Sequence, residues 1–386
     1  GSAQMAIERG GLPVKTIGIC ETDPDCVEIF KEAFPEIPVY GDMRFVITAL
    51  EQGDLVLRPT ILELTVPCQA RSIARVLADW SDTVHPSARL WDLQVKMVQL
   101  CSPDYVVIEN VPPFRNEKKG IDTLEQFEKL EREICKLGYH VESGILRASL
   151  FGDATQRQRY LAIFTLTGLP IAKLPEGDKT RCHGFWKLLE ENERVGMKYR
   201  CLLQDGKSEF ERLRTRQDNS DRYMSMQVAR VKPINDKERK VASEQNTNNP
   251  KGFRVYSPSY AHCVITSYGN PTKCGPGRQT QFIMDHVGIR TLTVTEACRI
   301  HSFIKRVEEI LSTRREQVAM AIVGNSVPVR MYEEVFKKVV KAKVKHMIEL
   351  MATVETEPTT TVQATEQDGD VSSDEDNLTN PMTEEE

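Results

Sequence analysis

Tyr105-Val106-Val107-Ile108-Glu109-Asn110-Val111 joins a run of β-branched and aromatic residues to a carboxylate and an amide. Four consecutive apolar residues without polar alternation are the pattern of a strand buried on both faces, as in sheets covered by helices on each side. Working outward, strands are predicted at residues 14–19, 60–64, 105–108, 140–147 and 160–164. Between them, residues 24–34, 88–100 and 124–137 carry apolar side chains at three- and four-residue intervals, so they are predicted helices. This alternation predicts an α/β domain with a doubly wound, mainly parallel sheet, whose ligands sit beyond the carboxyl ends of the strands.

After Thr167 the pattern lapses. Residues 168–286 are rich in Asn, Gly, Pro, Arg and Lys and read as a second, smaller, irregular domain. Helical periodicity returns at 293–303 and 314–322 and in a long basic helix at 330–351, so 287–350 is expected to rejoin the first domain, 1–167. Ala352 to Glu386 contains eleven acidic residues and no Lys or Arg, and 351–386 is expected to be a disordered acidic tail. Without that stretch the chain's net charge of −5 becomes +6, a balance that suits a polyanionic partner. Apolar runs of about 18 residues are absent, and Glu8 and Arg9 interrupt the start, which argues against a membrane span or signal peptide. The ten cysteines form no C-x-x-C pair and have no histidines at ligand spacing, so reduced thiols and no metal are expected.

Four features fall at predicted strand ends: Glu21, Pro67-Cys68-Gln69, Glu109-Asn110-Val111, and the pair Arg157 and Arg159. A cysteine on a turn set by Pro67 is poised to face a cleft, and neighbouring cations would make its thiolate a strong nucleophile; the alternative is an inert loop thiol. Glu109, leaving its strand at the same edge, is placed to act as an acid towards a ring nitrogen, the alternative being a loop cap. Arg157 and Arg159 are expected to point to opposite faces, one towards the cleft and one into solvent, and a structural role is equally open to them.

With these residues, the chain up to its tail resembles the cytosine-5 DNA methyltransferases, including the bacterial and phage restriction-modification enzymes. Pro67-Cys68-Gln69, Glu109-Asn110-Val111 and Arg157-Gln158-Arg159 are similar to the family's nucleophile, acidic and arginine motifs. Arg290-Thr291-Leu292-Thr293 with Glu296 and Arg299 resembles the motif opening the late helix, and Gly324-Asn325-Ser326-Val327-Pro328 the closing motif, all in the family's order. The resemblance implies a Rossmann-like methyltransferase fold, with residues 168–286 as the target-recognition domain. It also implies that Cys68 adds to C6 of a cytosine flipped out of the stack, Glu109 engages N3, and Arg157 and Arg159 hold the base or its phosphates.

S-adenosylmethionine is the cofactor this resemblance implies, with Glu21 at its ribose, Asp42 at its adenine, and Pro67, Asn325, Ser326 and Val327 at its methionine end. Either carboxylate is otherwise an ordinary solvated loop residue. Family members open with a strand and a Phe-x-Gly-x-Gly loop, and Gly1, Ser2, Ala6 and Glu8 correspond to the end of that loop and the helix behind it. The sequence as given is thus read as lacking the loop. Double-stranded DNA is the expected partner, met by Gln69, Arg254, Arg278 and Arg290, and a monomer is expected. The expected location is the cytoplasm of a bacterium or phage host, or the nucleus of a eukaryote. Two alternatives stay open: a tRNA methyltransferase, whose branch carries a Cys-Phe-Thr signature not found here, and a DNA-binding regulator without catalysis.

Overall fold

The computed structural model describes residues 1–66, 90–113, 123–181, 187–190, 261, 264 and 291–352 in full. It describes the backbone alone at 115–116, 121–122, 185–186, 203–204, 207–208, 227–230, 254–256, 281–285, 288–290 and 353–356. The chain divides into Gly1–His346 and Met347–Glu386.

In the first unit a four-stranded sheet is built from β1 (Ile61–Leu64), β2 (Tyr105–Asn110), β3 (Tyr139–Arg147) and β4 (Gln158–Leu166), in the order β1-β2-β4-β3. β1 pairs with β2 in parallel, while β4 runs antiparallel to both β2 and β3. The α/β class stands, and in the described sheet β1, β2 and β3 run one way while β4 alone runs against them. β3 returns directly into β4 through a single 3-10 turn, Ala148–Phe151, with no crossover helix, and so short a link permits only antiparallel pairing. The strand expected at 14–19 is reduced to one parallel bridge, Ile19 with Val39. Pro38 beside it has no N–H to donate, which limits the ladder there.

Helices cover both faces. α1 (Ser2–Arg9), α2 (Pro24–Ala33), α3 (Met43–Gln52), α4 (Leu90–Cys101) and α5 (Leu124–Cys135) precede or interleave with the strands. α6 (Val294–Ile300), α7 (Lys305–Thr313), α8 (Glu316–Asn325) and α9 (Val329–Thr356) follow them. Their starts are written in the sequence: Asp23 accepts from Cys26 N at 3.0 Å ahead of Pro24, and Asp42 accepts from Arg44 N at 2.9 Å. Thr293 and Glu296 form a reciprocal capping box.

Strand alternation sorts the core into two layers. Tyr105, Val107, Leu161 and Ile163 pack with α1, α2 and α6 to α9, whereas Val106, Ile108, Ala162 and Phe164 pack with α3, α4 and α5. Within the stretch read as irregular and just past its end, the backbone forms a second sheet: β5 (Gln227–Arg230), β6 (Arg254–Tyr256), β7 (Gln281–Asp285) and β8 (Gly288–Arg290), in the order β6-β5-β7-β8. Short strands so far apart in sequence leave no periodic signal. Among the described residues no helix is long and apolar enough to cross a membrane. In the second unit the helix continues through Met347, Ile348, Leu350 and Met351, all exposed.

Asp153, fully buried, stabilises the start of α9 by accepting from Arg330 N at 3.2 Å and Met331 N at 2.9 Å. Burial pushes its carboxyl up to about 7 despite those donors. Between its ordinary 3.8 and about 7 the folded chain therefore holds a proton that the unfolded chain has lost, and stability from this group falls as pH rises. The stability advantage of the parent over Asp153→Asn is expected to shrink across that window by up to about 1.4 kcal/mol per pH unit, then level off. Urea melts at a series of pH values measure it. Parallel curves for the two proteins would show that Asp153 does not titrate there.

Candidate active site

The parallel pairing of β1 with β2 brings Leu64 beside Ile108, so the chain leaving β1 towards Pro67 emerges next to Glu109 and Asn110. Pro67, Cys68 and Gln69 lie outside the described residues. Their approach is nevertheless fixed, because Asn110 Nδ2 donates to Val66 O at 3.1 Å while Asn110 Oδ1 accepts from Val111 N at 3.0 Å. A buried amide thus ties the end of β2 to the last described residue before Pro67. Composition gave no hint of this; only the pairing of two distant strands does.

Antiparallel β4 begins at the same edge, with Asn110 opposite Tyr160 and Glu109 opposite Leu161. Arg159, two residues before Leu161, shares Glu109's face, and its Nε lies 2.7 Å from Glu109 Oε1 with both side chains about nine-tenths buried. Burial pushes the Glu109 carboxyl above the usual carboxylate range, against the downward pull of Arg159 and then Arg157, and Glu63 adds to the rise. A carboxyl whose charged form is disfavoured by burial is available as a proton donor.

The expectation that Arg157 and Arg159 face opposite ways is corrected. Residues i and i+2 of extended chain share a face, and both arginines are buried. Arg157 donates from Nη1 to Val264 O at 2.9 Å and from Nη2 to Gly324 O at 2.6 Å. It therefore clamps the start of β4 to two segments 107 and 167 residues away. The same loop pairs with the chain at Ala261, whose N donates to Ala154 O at 2.6 Å and whose O accepts from Gln156 N at 3.0 Å. Arg157→Lys replaces a two-pronged donor by a point charge and is expected to cost about 2 kcal/mol, read from urea midpoints. An unchanged midpoint would remove the clamp from the account.

His301, just after α6, lies fully buried against this cluster and was not singled out by its sequence context. Ser326 Oγ donates to Val323 O at 2.7 Å, so it accepts from His301 Nδ1, 2.9 Å away, leaving Nε2 as the unprotonated nitrogen. Burial holds the ring well below the ordinary imidazole range, and the charges of Arg157 and Arg159 act the same way. A neutral ring thereby fixes the Ser326 hydroxyl. Asn325 is exposed at the end of α8, and Val327 N donates to Ser2 Oγ at 3.1 Å, which joins the closing motif to α1.

The Ile19–Val39 bridge aligns two segments, so Glu21 and Asp42 follow at the same end of it. Glu21 Oε1 accepts from Thr22 N at 2.8 Å and Asp23 N at 2.9 Å. Asp42 caps α3 and binds the Arg44 guanidinium at 2.5 Å, which holds its carboxyl below the usual range. Two carboxylates beyond one end of a parallel pair present acceptors suited to hydroxyl and amino groups, and this acceptor set fits a nucleoside. Each also has a local role in starting a helix. Of the residues expected on DNA, Gln69 and Arg278 lie outside the described residues, and Arg254 in β6 and Arg290 in β8 are described in backbone alone. The late motif serves as a lock: Thr293 Oγ1 donates to Glu190 Oε2 at 2.5 Å, and Arg299 pairs with Glu308 at 3.1 Å.

A family model for C-5 cytosine-specific DNA methylases matches residues 1–341. The Type II methyltransferases M.NlaIV of Neisseria lactamica and M.NgoBV of Neisseria gonorrhoeae are each 26% identical over 176 residues, covering 43% of this chain and 38% of each relative. The match therefore spans about two fifths of those relatives' length. Among solved structures, the Entamoeba histolytica methyltransferase EhMeth has a TM-score of 0.60 at 16% identity, over 88% of this chain and 95% of that one. The Schizosaccharomyces pombe Dnmt2 methyltransferase has a TM-score of 0.57 at 16% identity over the same shares. These likenesses show a shared fold.

Proposed function

The chain belongs to the C-5 cytosine-specific DNA methylase family, and we propose that it methylates C5 of a cytosine rotated out of duplex DNA, through a covalent bond between Cys68 and C6. The observation that carries this reading is the buried Glu109–Arg159 pair, 2.7 Å apart, at the sheet edge from which the chain enters Pro67-Cys68. S-adenosylmethionine, when bound, supplies the methyl group, and Glu21, Asp42, Pro67, Asn325, Ser326 and Val327 would hold it.

C5 of cytosine is a poor nucleophile. Addition of the Cys68 thiolate to C6 pushes an electron pair through the ring towards C5, and a proton or strong hydrogen bond from Glu109 at N3 lowers the energy of that adduct. Arg159 keeps Glu109 aimed and stands beside the pocket as a fixed positive charge. After C5 is methylated a solvent base takes its proton, the C5–H electron pair reforms the C5=C6 double bond as the Cys68–C6 bond breaks onto sulfur, and N3 returns its proton to Glu109. Since C6 is shielded in a duplex, the nucleotide must leave the stack first. Gln69, Arg254, Arg278 and Arg290 are the proposed contacts to DNA. The similarity to two Type II methyltransferases supports a restriction-modification role.

Incubation with radiolabelled S-adenosylmethionine and either duplex DNA or tRNA tests this. Label is expected on DNA. Label on tRNA alone would transfer the reading to the RNA branch, and none on either, with Cys68 intact, would overturn it.

A further inference from the structure

A second carboxylate lies under the site. Glu63 in β1 is in register with Val107 of β2, and Glu109 is two residues further on, so strand alternation puts Glu63 and Glu109 on one face as diagonal neighbours. Such neighbours sit about 7–8 Å apart, within reach of long side chains. From the opposite side α9 contributes Tyr332, fully buried, whose hydroxyl donates to Glu63 Oε1 at 2.6 Å. The two partners are 269 residues apart in sequence.

The geometry points to Glu63, tethered by Tyr332, as a positioning residue that sets how firmly Glu109 holds its proton. It rests on the reading of Glu109 as the acid towards the base. The groups facing Glu109 are Arg159 and Arg157 from β4 and the loop before it, Glu63 from β1, and Tyr332 from α9, with neutral His301 behind the arginines. Burial raises the Glu109 carboxyl while the two guanidinium groups favour its charged form. A second carboxyl on the same face opposes them, because two nearby carboxylates cannot both ionise freely. Burial raises Glu63 itself, and the Tyr332 hydrogen bond pulls it back towards the charged form, from which it raises Glu109. The tyrosine thus favours the charged form of Glu63 against its burial.

The test is an isotope-edited infrared titration of the whole chain without substrate, with the Glu109 carboxyl band identified by its loss in Glu109→Gln. In Glu63→Gln the midpoint of that band is expected about one pH unit lower than in the parent. Tyr332→Phe should lower it by less, since Glu63 then takes up a proton and its charge fades. An unmoved midpoint overturns the inference, and Tyr332→Phe decides alone if Glu63→Gln does not fold. Methyl transfer to DNA is followed against pH on the same preparations. A shifted midpoint with no transfer sinks the proposed activity and leaves the Glu63–Glu109 coupling standing. Transfer whose alkaline limb stays put in Glu63→Gln sinks the inference and leaves the activity.

Discussion

Cys68→Ser is expected to lower methyl transfer by about 10⁴-fold or more, because a serine hydroxyl at neutral pH is almost fully protonated and adds poorly to C6. The side chain lies outside the described residues, yet β1 and the Asn110–Val66 hydrogen bond of 3.1 Å deliver the chain to the edge where Glu109 and Arg159 wait. The fold should be indifferent to the change. Single-turnover transfer and a urea melt on the same preparation separate chemistry from stability. Duplex DNA carrying 5-fluorocytosine supplies the complementary result: fluorine cannot leave C5 as the proton does, so the parent should be trapped as an adduct and the serine variant should not. Normal turnover by the variant, or an active parent that forms no adduct, would remove C6 addition from the mechanism.

Glu109→Ala should fail in two ways at once. It strands the buried Arg159 guanidinium, at a cost of about 3–5 kcal/mol, and it deletes the acid, for a further loss of about 10²–10⁴-fold in turnover. Glu109→Gln divides the two effects. The amide oxygen can still accept from Arg159, so most of the stability should return, while the proton is no longer available and turnover should stay low. Denaturation midpoints and kcat for both variants read the outcome. A glutamine variant as active as the parent would mean that Glu109 orients the base without any change in its own protonation.

What the sequence disclosed was mostly local. β2 was legible because Tyr105 to Ile108 can belong only to a doubly covered strand, and α2 because Asp23-Pro24 precedes a periodic apolar face. The helix Met43–Gln52 was equally legible, with Asp42 as its cap and Met43, Val46, Ile47 and Leu50 on one side, but the segment was read only for its carboxylate. Strand direction was not written locally. In a purely parallel sheet, arginines at the start of a strand would sit at the far edge from Glu109; they meet it only because β4 runs the other way. His301, Glu63 and Tyr332 were missed, and Asn110 was named without its tie to Val66, for a related reason. Each acts through a partner that folding supplies from a distant segment, and no spacing rule reaches that far.

Arg157 holds its two neighbours by their carbonyl oxygens, and the bridge at Ala261 likewise runs through peptide groups. A grip on the main chain is blind to spelling. The side chains of the segments it grips can change without rewriting the arginine that moors them, and if 168–286 serves as the proposed recognition domain, new sequence preferences can be tried on an old frame at little structural risk.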